Sequence, residues 1–312
     1  MQEKAKNRSE KSLSFWRISS CYNDPDQRFL FLNEIRFSQI LLESETPMNN
    51  LMDYNFHSHT WRCKHAQMVD DEEFVKAYIQ NGFKTIAFTD HTPQHPVIDP
   101  RKNIRMDFDQ LEDYLTSIET LKAKYQDQID IKTGLEVEYL PELESFYDSI
   151  CDRLDLMILG QHFIRRPDGT LVVMGSEEVN DEDVERYAHM VVAAMEKGQI
   201  SLVAHPDYYM LNRTTFGPAQ EKAARRICEA SLRTGIPLEV NLLPPYKLNQ
   251  GIIDKVTYPC ADFWKIAAEY GVHAIYGLDT HHLPQIDNYK DSIETARKLL
   301  SPAAIDRLHF VR

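Results

Sequence analysis

From Asp53 onward the chain repeats one unit, a short β-branched or apolar run followed by a longer helical stretch, and this rhythm limits the folds open to it. The runs read YNFHSH (54–59), TIAFTDH (85–91), IDIKTGLEVEY (129–139), LDLMILGQHF (154–163), SLVAHPD (201–207), IPLEVNL (236–242) and HAIYGLDTHH (273–282). Helical patterns such as DDEEFVKAYIQNG, DFDQLEDYLTSIETLKAKY, DEDVERYAHMVVAAMEKG and AQEKAARRICEASLRTG lie between them, several closing on glycine. Strands alternating with helices predict right-handed βαβ units and a parallel sheet. Seven units in succession predict a barrel rather than an open sheet. Neither a Gly-x-Gly-x-x-Gly fingerprint nor a Walker loop is present, which counts against a nucleotide-binding sheet. FIRRPDGTLVVMG (163–175) reads as a hairpin turning at Asp168-Gly169, inserted after the fourth strand.

Charge separates the first 52 residues from the rest. They hold seven Lys/Arg and seven Asp/Glu, so the net charge of −13 belongs wholly to residues 53–312. Residues 1–52 carry no recognisable chemistry and are expected to be a poorly ordered extension, with the barrel occupying 53–312. An acidic body argues against coating nucleic acid or binding an anionic membrane, which need clustered cations. A small anionic substrate stays compatible, because local charge decides its binding. The five cysteines are scattered without a Cys-x-x-Cys pair, as in a chain with reduced thiols. No apolar run approaches a membrane span and no cleavable leader is apparent, so the expected compartment is the cytoplasm.

The runs share a feature at their ends. The first closes on His57-Ser58-His59, the second on Asp90-His91, and the third contains Glu136. The fourth ends at His162, the fifth at His205 and the seventh at Asp279-Thr280-His281, while His65 stands in the loop after the first. Residues at the C-terminal ends of barrel strands converge on one mouth. Alternate residues of a strand face one side, so His57 with His59, and Asp279 with His281, can both point inward. One strand-end histidine is commonplace, but seven of the chain's twelve sit at such ends beside Glu136 and Asp279. Neutral imidazoles with a few carboxylates suit zinc, manganese or iron, and nine donors exceed what one ion needs. Two or three divalent ions are expected.

In order along the chain, His57-Ser58-His59, His65, TDH (89–91), GLE (134–136), His162, AHP (204–206) and DTH (279–281) resemble the PHP (polymerase and histidinol phosphatase) family of metal-dependent phosphoesterases. The resemblance covers roughly residues 53–300 and implies a distorted (β/α)7 barrel with its metal site at the C-terminal ends of the strands. It also implies one ion on His57, His59, Glu136 and Asp279, a second on Glu136, His162 and His205, and a third on His65, His91 and His281. Within the family, RCKHA, GFKTIAFTDHTP and LGQHFI look most like the histidinol-phosphate phosphatases of histidine biosynthesis.

The expected reaction is hydrolysis of a phosphomonoester, L-histidinol phosphate first, by a metal-bound hydroxide that Glu136 and Asp279 help to hold. Arg62, Lys64, Arg165 and Arg166 are candidate phosphate contacts. Asp207, Tyr209, Glu239 and Asn241, after the fifth and sixth strands, are candidates for the organic part. Asp90 is a candidate carboxylate behind the ligands. Cys63 stands beside cations that could activate a thiolate, but the expected chemistry needs no covalent nucleophile. Other readings stay open: a related phosphoesterase acting on phosphotyrosine, a metal-dependent amidohydrolase, or a metal-binding module without turnover. The amidohydrolases normally place a Lys or Glu where the fourth run here ends in His162.

Overall fold

In a computed structural model the first four runs become β1 (Tyr54–Asn55), β2 (Thr85–His91), β3 (Asp130–Val137) and β4 (Leu156–Leu159). The hairpin forms as β5 (Phe163–Arg165) against β6 (Leu171–Val173), antiparallel. The last three runs become β7 (Leu202–Val203), β8 (Leu238–Asn241) and β9 (His273–Gly277). The structure describes residues 52–95, 98 and 103–311. These belong to one unit spanning residues 46–311. The expected extension over 1–52 lies almost wholly outside them.

The seven strands formed by the runs pair in parallel and in chain order. Val, Ile, Leu and Phe line both faces of these strands, as at Ile86, Phe88, Leu135, Ile158, Val203, Leu238 and Ile275, all buried. The sheet closes where the first strand continues past Asn55. Ser58 bridges Thr280 in parallel, with His59 N–H donating to Thr280 O (2.8 Å) and Thr280 N–H to His57 O (3.1 Å). A buried polar cluster stitches this seam. Tyr78 from the first helix (Asp71–Gln80) places its hydroxyl 2.7 Å from Ser58 Oγ, Thr280 Oγ1 and Asn55 Nδ2 alike. Asn55 Oδ1 accepts the Leu278 N–H at 2.9 Å.

One strand escapes the sequence pattern, β10 (His309–Phe310), which pairs in parallel with the start of β9. Two residues are too short to show a period. The helix Leu243–Asn249 is hidden for another reason. Its prolines, Pro244 and Pro245, read as a loop but occupy the first turn, where their missing N–H groups cost nothing. The long helices Leu111–Tyr125, Asp181–Lys197, Pro218–Thr234 and Ala261–Tyr270 lie where their periodicity predicts.

Candidate metal centre

Parallel register delivers the strand ends to one rim. His91 pairs with Glu136 across β2 and β3, and the chain after β9 runs against the chain after β1 at the seam. Glu136 stands at the centre. Its Oε2 lies 3.6 Å from His57 Nε2, 3.6 Å from His59 Nε2 and 2.7 Å from His91 Nδ1. Its Oε1 lies 3.1 Å from His205 Nε2 and 3.5 Å from His162 Nε2. Asp279 Oδ1 faces His57 Nε2 (3.5 Å), His59 Nε2 (3.3 Å) and His281 Nδ1 (3.3 Å). His65 Nε2 meets His281 Nε2 at 2.7 Å. All nine side chains thus meet in one cluster, buried apart from the half-buried His162 and the rim residue His65.

The donor atoms form several groups within 4.8 Å: His57–His59–Asp279, His57–Glu136–His205, His59–His91–His281 and Cys63–His65–His281. These are residue groups able to hold divalent metal ions. His57 Nε2, His59 Nε2, His91 Nδ1 and Glu136 Oε2 are buried yet make no hydrogen bond, the close His91–Glu136 approach included. Buried polar atoms without partners are costly, and four that converge suit a cation.

A ring of carboxylates behind the cluster fixes the imidazoles. Glu239 Oε1 meets His57 Nδ1 at 2.8 Å, while its Oε2 accepts the backbone N–H of His205 (2.9 Å) and Nδ2 of Asn241 (3.0 Å). Glu138 Oε2 accepts the His162 N–H (2.8 Å), and its Oε1 meets His162 Nδ1 (2.9 Å) and the buried Arg105 Nη2 (2.5 Å). His65 Nδ1 and His281 Nδ1 turn to the carbonyls of Cys63 (2.8 Å) and Asp279 (2.9 Å). Each such contact turns Nε2 inward and selects the tautomer a ligand needs. Asp90 accepts both the N–H and the hydroxyl of Thr60 at 2.5 Å, so it pins the loop after β1, and it stays 3.9 Å from His59 Nδ1. Neither Glu138 nor Arg105 stands out in the sequence pattern. The one signal for Glu138 is its place two residues after Glu136, on the same strand face.

Two glycines make room. A Cβ on Gly160 would fall 1.8 Å from Glu136 Oε1, and one on Gly277 would fall 1.8 Å from Glu239 Oε1. Each carboxylate lies across the neighbouring strand's backbone, which only glycine permits. The backbone at His205 and Asp279 also departs from the strand, with φ of 30° and 49°. Such values are strained for non-glycine residues and here aim two of the cluster's side chains.

The electrostatics agree with ligation. Burial would push Glu136 and Asp279 up, but the surrounding imidazoles prevail and hold both well below the ordinary carboxylate range. Burial holds His59 and His91 below the normal imidazole value, and burial with neighbouring His59 takes His281 to about 3. These are neutral bases at physiological pH. Burial opposes protonation of His57, yet Glu239, Asp279 and Glu136 raise it well above normal; His162 follows the same pattern through Glu136 and Glu138.

Several expected contacts lie elsewhere. Arg62 is buried and committed to Asp71 (2.7 Å) and Asp113 (2.9 Å), with its guanidinium over Trp61. Tyr209 is fully buried and donates its hydroxyl to Gln220 O at 3.1 Å, between helices. Each residue stands near a strand end, and these bonds give its side chain partners outside the nine-donor cluster. Arg165 donates to Gly169 O within its hairpin and pairs with Glu142, Arg166 pairs with Asp183, and Lys64 with Asp107. Asn241 does reach the cluster, 3.3 Å from Asp279 Oδ2. Asp207 accepts the Cys260 N–H instead. Cys63 is fully buried, and burial with the nearby Asp90 raises its thiol well above normal, which disfavours a free thiolate.

Among the described residues no helix is long and apolar enough to cross a membrane. Histidinol-phosphatase of Bacillus subtilis is 36% identical over 116 residues, covering 35% of this chain and 43% of that protein, less than half its length. A Deinococcus radiodurans protein named "Probable histidinol-phosphatase" is 25% identical over 251 residues, covering 77% of this chain and 91% of that one. The fold is like that of histidinol phosphate phosphatase from Lactococcus lactis, solved with zinc, L-histidinol and phosphate. The TM-score is 0.61 at 19% identity, covering 83% of this chain and 95% of the other. Residues 55–242, more than half the chain, match the PHP domain, and the chain belongs to the PHP family.

Proposed function

We propose that this protein is a metal-dependent phosphatase that hydrolyses L-histidinol phosphate to L-histidinol and phosphate. The observation that carries the reading is the convergence of nine imidazole and carboxylate donors on one rim, in a chain whose relatives at 36% and 25% identity bear that activity in their names. In this reading His57, His59, Glu136 and Asp279 hold one ion, and Glu136, His162 and His205 a second. His65, His91 and His281 hold a third. The two oxygens of Glu136, each facing its own set of imidazoles, support its role as a bridge. Cys63 lies close enough to His65 and His281 to enter the third set.

Bound divalent ions supply Lewis-acid charge at the phosphoryl oxygens and lower the pKa of a coordinated water. The chain's own residues do the rest. Glu239 and Glu138 fix the inward nitrogens of His57 and His162, so the donors are preorganised before substrate arrives. The arginines and lysine expected as phosphate contacts are paired with acids, so in this reading the ions of the centre are the main phosphate contacts. The acids Glu138 and Glu239, just behind the ligands, temper a site that Glu136 and Asp279 alone would leave more positive.

The test is phosphate release by protein stripped of metal and reloaded with Mn²⁺ or Zn²⁺. Histidinol phosphate is expected to be turned over with a kcat/KM roughly 100-fold above simple alkyl phosphates. Glu136→Ala and His205→Ala are expected to lose both turnover and bound metal. Equal rates across esters would remove the substrate assignment. Full activity in either variant would remove the ligand scheme.

A further inference from the structure

Beside the Glu136–His162–His205 side of the centre stands an aromatic pair that no sequence motif announces. Tyr208 packs edge-on to His162 with centroids 4.9 Å apart, and tilts against His205 at 4.9 Å. Tyr258 stands 5.2 Å from Tyr208, edge to face, and 6.1 Å from His205. The two tyrosines come from separate segments. Tyr208 opens the short turn Tyr208–Met210 after β7, while Tyr258 belongs to the loop before the helix Ala261–Tyr270. Asp207 ties those segments together, its buried Oδ2 accepting the Cys260 N–H at 2.5 Å. Both residues are half-buried, and both rings rest on the metal-facing histidines. A core pair would be closed off; this one is held at the mouth.

Chemistry narrows what such a wall can serve. A phosphoryl group needs positive charge, which divalent ions held by the nine donors would provide. Arg62, Arg165 and Arg166 are paired with acids, and the groups that stand directly against this side of the centre are the two aromatic rings. Aromatic faces and edges recognise flat rings through stacking and edge contacts. We propose that Tyr208 and Tyr258 form the leaving-group subsite, a wall that selects phosphomonoesters whose alcohol carries a planar ring. This rests on the phosphatase reading above for its meaning, but its test does not need turnover.

The probes are benzylphosphonate and ethylphosphonate, which cannot be hydrolysed, titrated calorimetrically into the metal-loaded full chain. The two share an anionic head and differ by the ring. Wild type is expected to bind the benzyl compound about tenfold more tightly. Tyr208→Leu and Tyr258→Leu should each bring that ratio toward one, and Tyr208→Phe and Tyr258→Phe should keep it, because the ring rather than the hydroxyl is the recogniser. Metal content is measured alongside. A ratio near one in wild type overturns the proposal, as does a tenfold ratio that survives in both leucine variants. Loss of both ligands in proportion with lost metal assigns the pair to packing and also overturns it. If the leucine variants do not fold, the wild-type ratio and its retention in the phenylalanine variants still decide. A tenfold ratio in a protein inactive on histidinol phosphate would sink the substrate assignment and leave the aromatic wall standing.

Discussion

Glu136 is buried and faces five imidazoles, three through Oε2 and two through Oε1. Two of them, His57 and His162, are raised above the ordinary imidazole value of 6.5 by neighbouring carboxylates that outweigh burial. His59, His91 and His281 are held below it. The sign of the metal–proton linkage is set by this division. Below a raised pKa the imidazole carries a proton that a cation must displace, so acid weakens metal binding and neutral-to-basic pH strengthens it. His59, His91 and His281 have no proton to lose near neutrality. Adding Mn²⁺ or Zn²⁺ to stripped protein at pH 7 in weakly buffered dye solution is therefore expected to release about one to two protons. Metal affinity should rise correspondingly between pH 6 and 8. Binding with no proton release would show that the carboxylate ring does not charge these histidines.

Between elements, the centre depends on contacts one strand makes through the next. Glu136 on β3 lies over Gly160 just past β4, and Glu239 on β8 lies over Gly277 on β9. A methyl group at either glycine cannot coexist with the carboxylate as placed, because the overlap reaches back from Oε1 through Cδ to Cγ. Gly160→Ala is expected to swing Glu136 aside, lowering kcat/KM by roughly 100-fold, while the strands still pair. Circular dichroism and metal content would separate the two effects. Wild-type turnover in this variant would contradict the bridging role given to Glu136.

Across the whole molecule, the site doubles as the place where the barrel shuts. The Ser58–Thr280 bridge lies between His57, His59, Asp279 and His281, and Tyr78 secures it from the helix behind. Ions on that cluster would cross-link the segments that follow β1 and β9 and satisfy its buried orphan atoms. Ligand binding to the native state stabilises it by RT ln(1 + [L]/Kd), about 4 kcal/mol per ion at a thousandfold excess over Kd. For a unit of this size that corresponds to a Tm shift on the order of 10 °C. Chelation with EDTA is expected to lower Tm by at least that amount, and re-addition of metal to restore it. An unchanged Tm would mean that the hydrogen-bonded seam suffices without ions.

Period and chain order carry the part of this architecture that is legible in the sequence. Seven β-branched runs with helices between them permit few closures, and donors at the strand ends must share a rim because parallel strands end together. The positions of His57, His59, Glu136 and Asp279 can therefore be read along the chain. Direction cannot. Arg62 and Tyr209 stand near strand ends yet turn to Asp71 and Gln220, because a side chain goes to whichever partner the neighbouring helix offers. Glu138 and Arg105, the Asn55–Tyr78–Thr280 seam, the clearance at Gly160 and Gly277 and the pairing of Tyr208 with Tyr258 all join residues far apart in the chain. Local pattern carries no information about such pairs; they exist only once packing has brought the segments together.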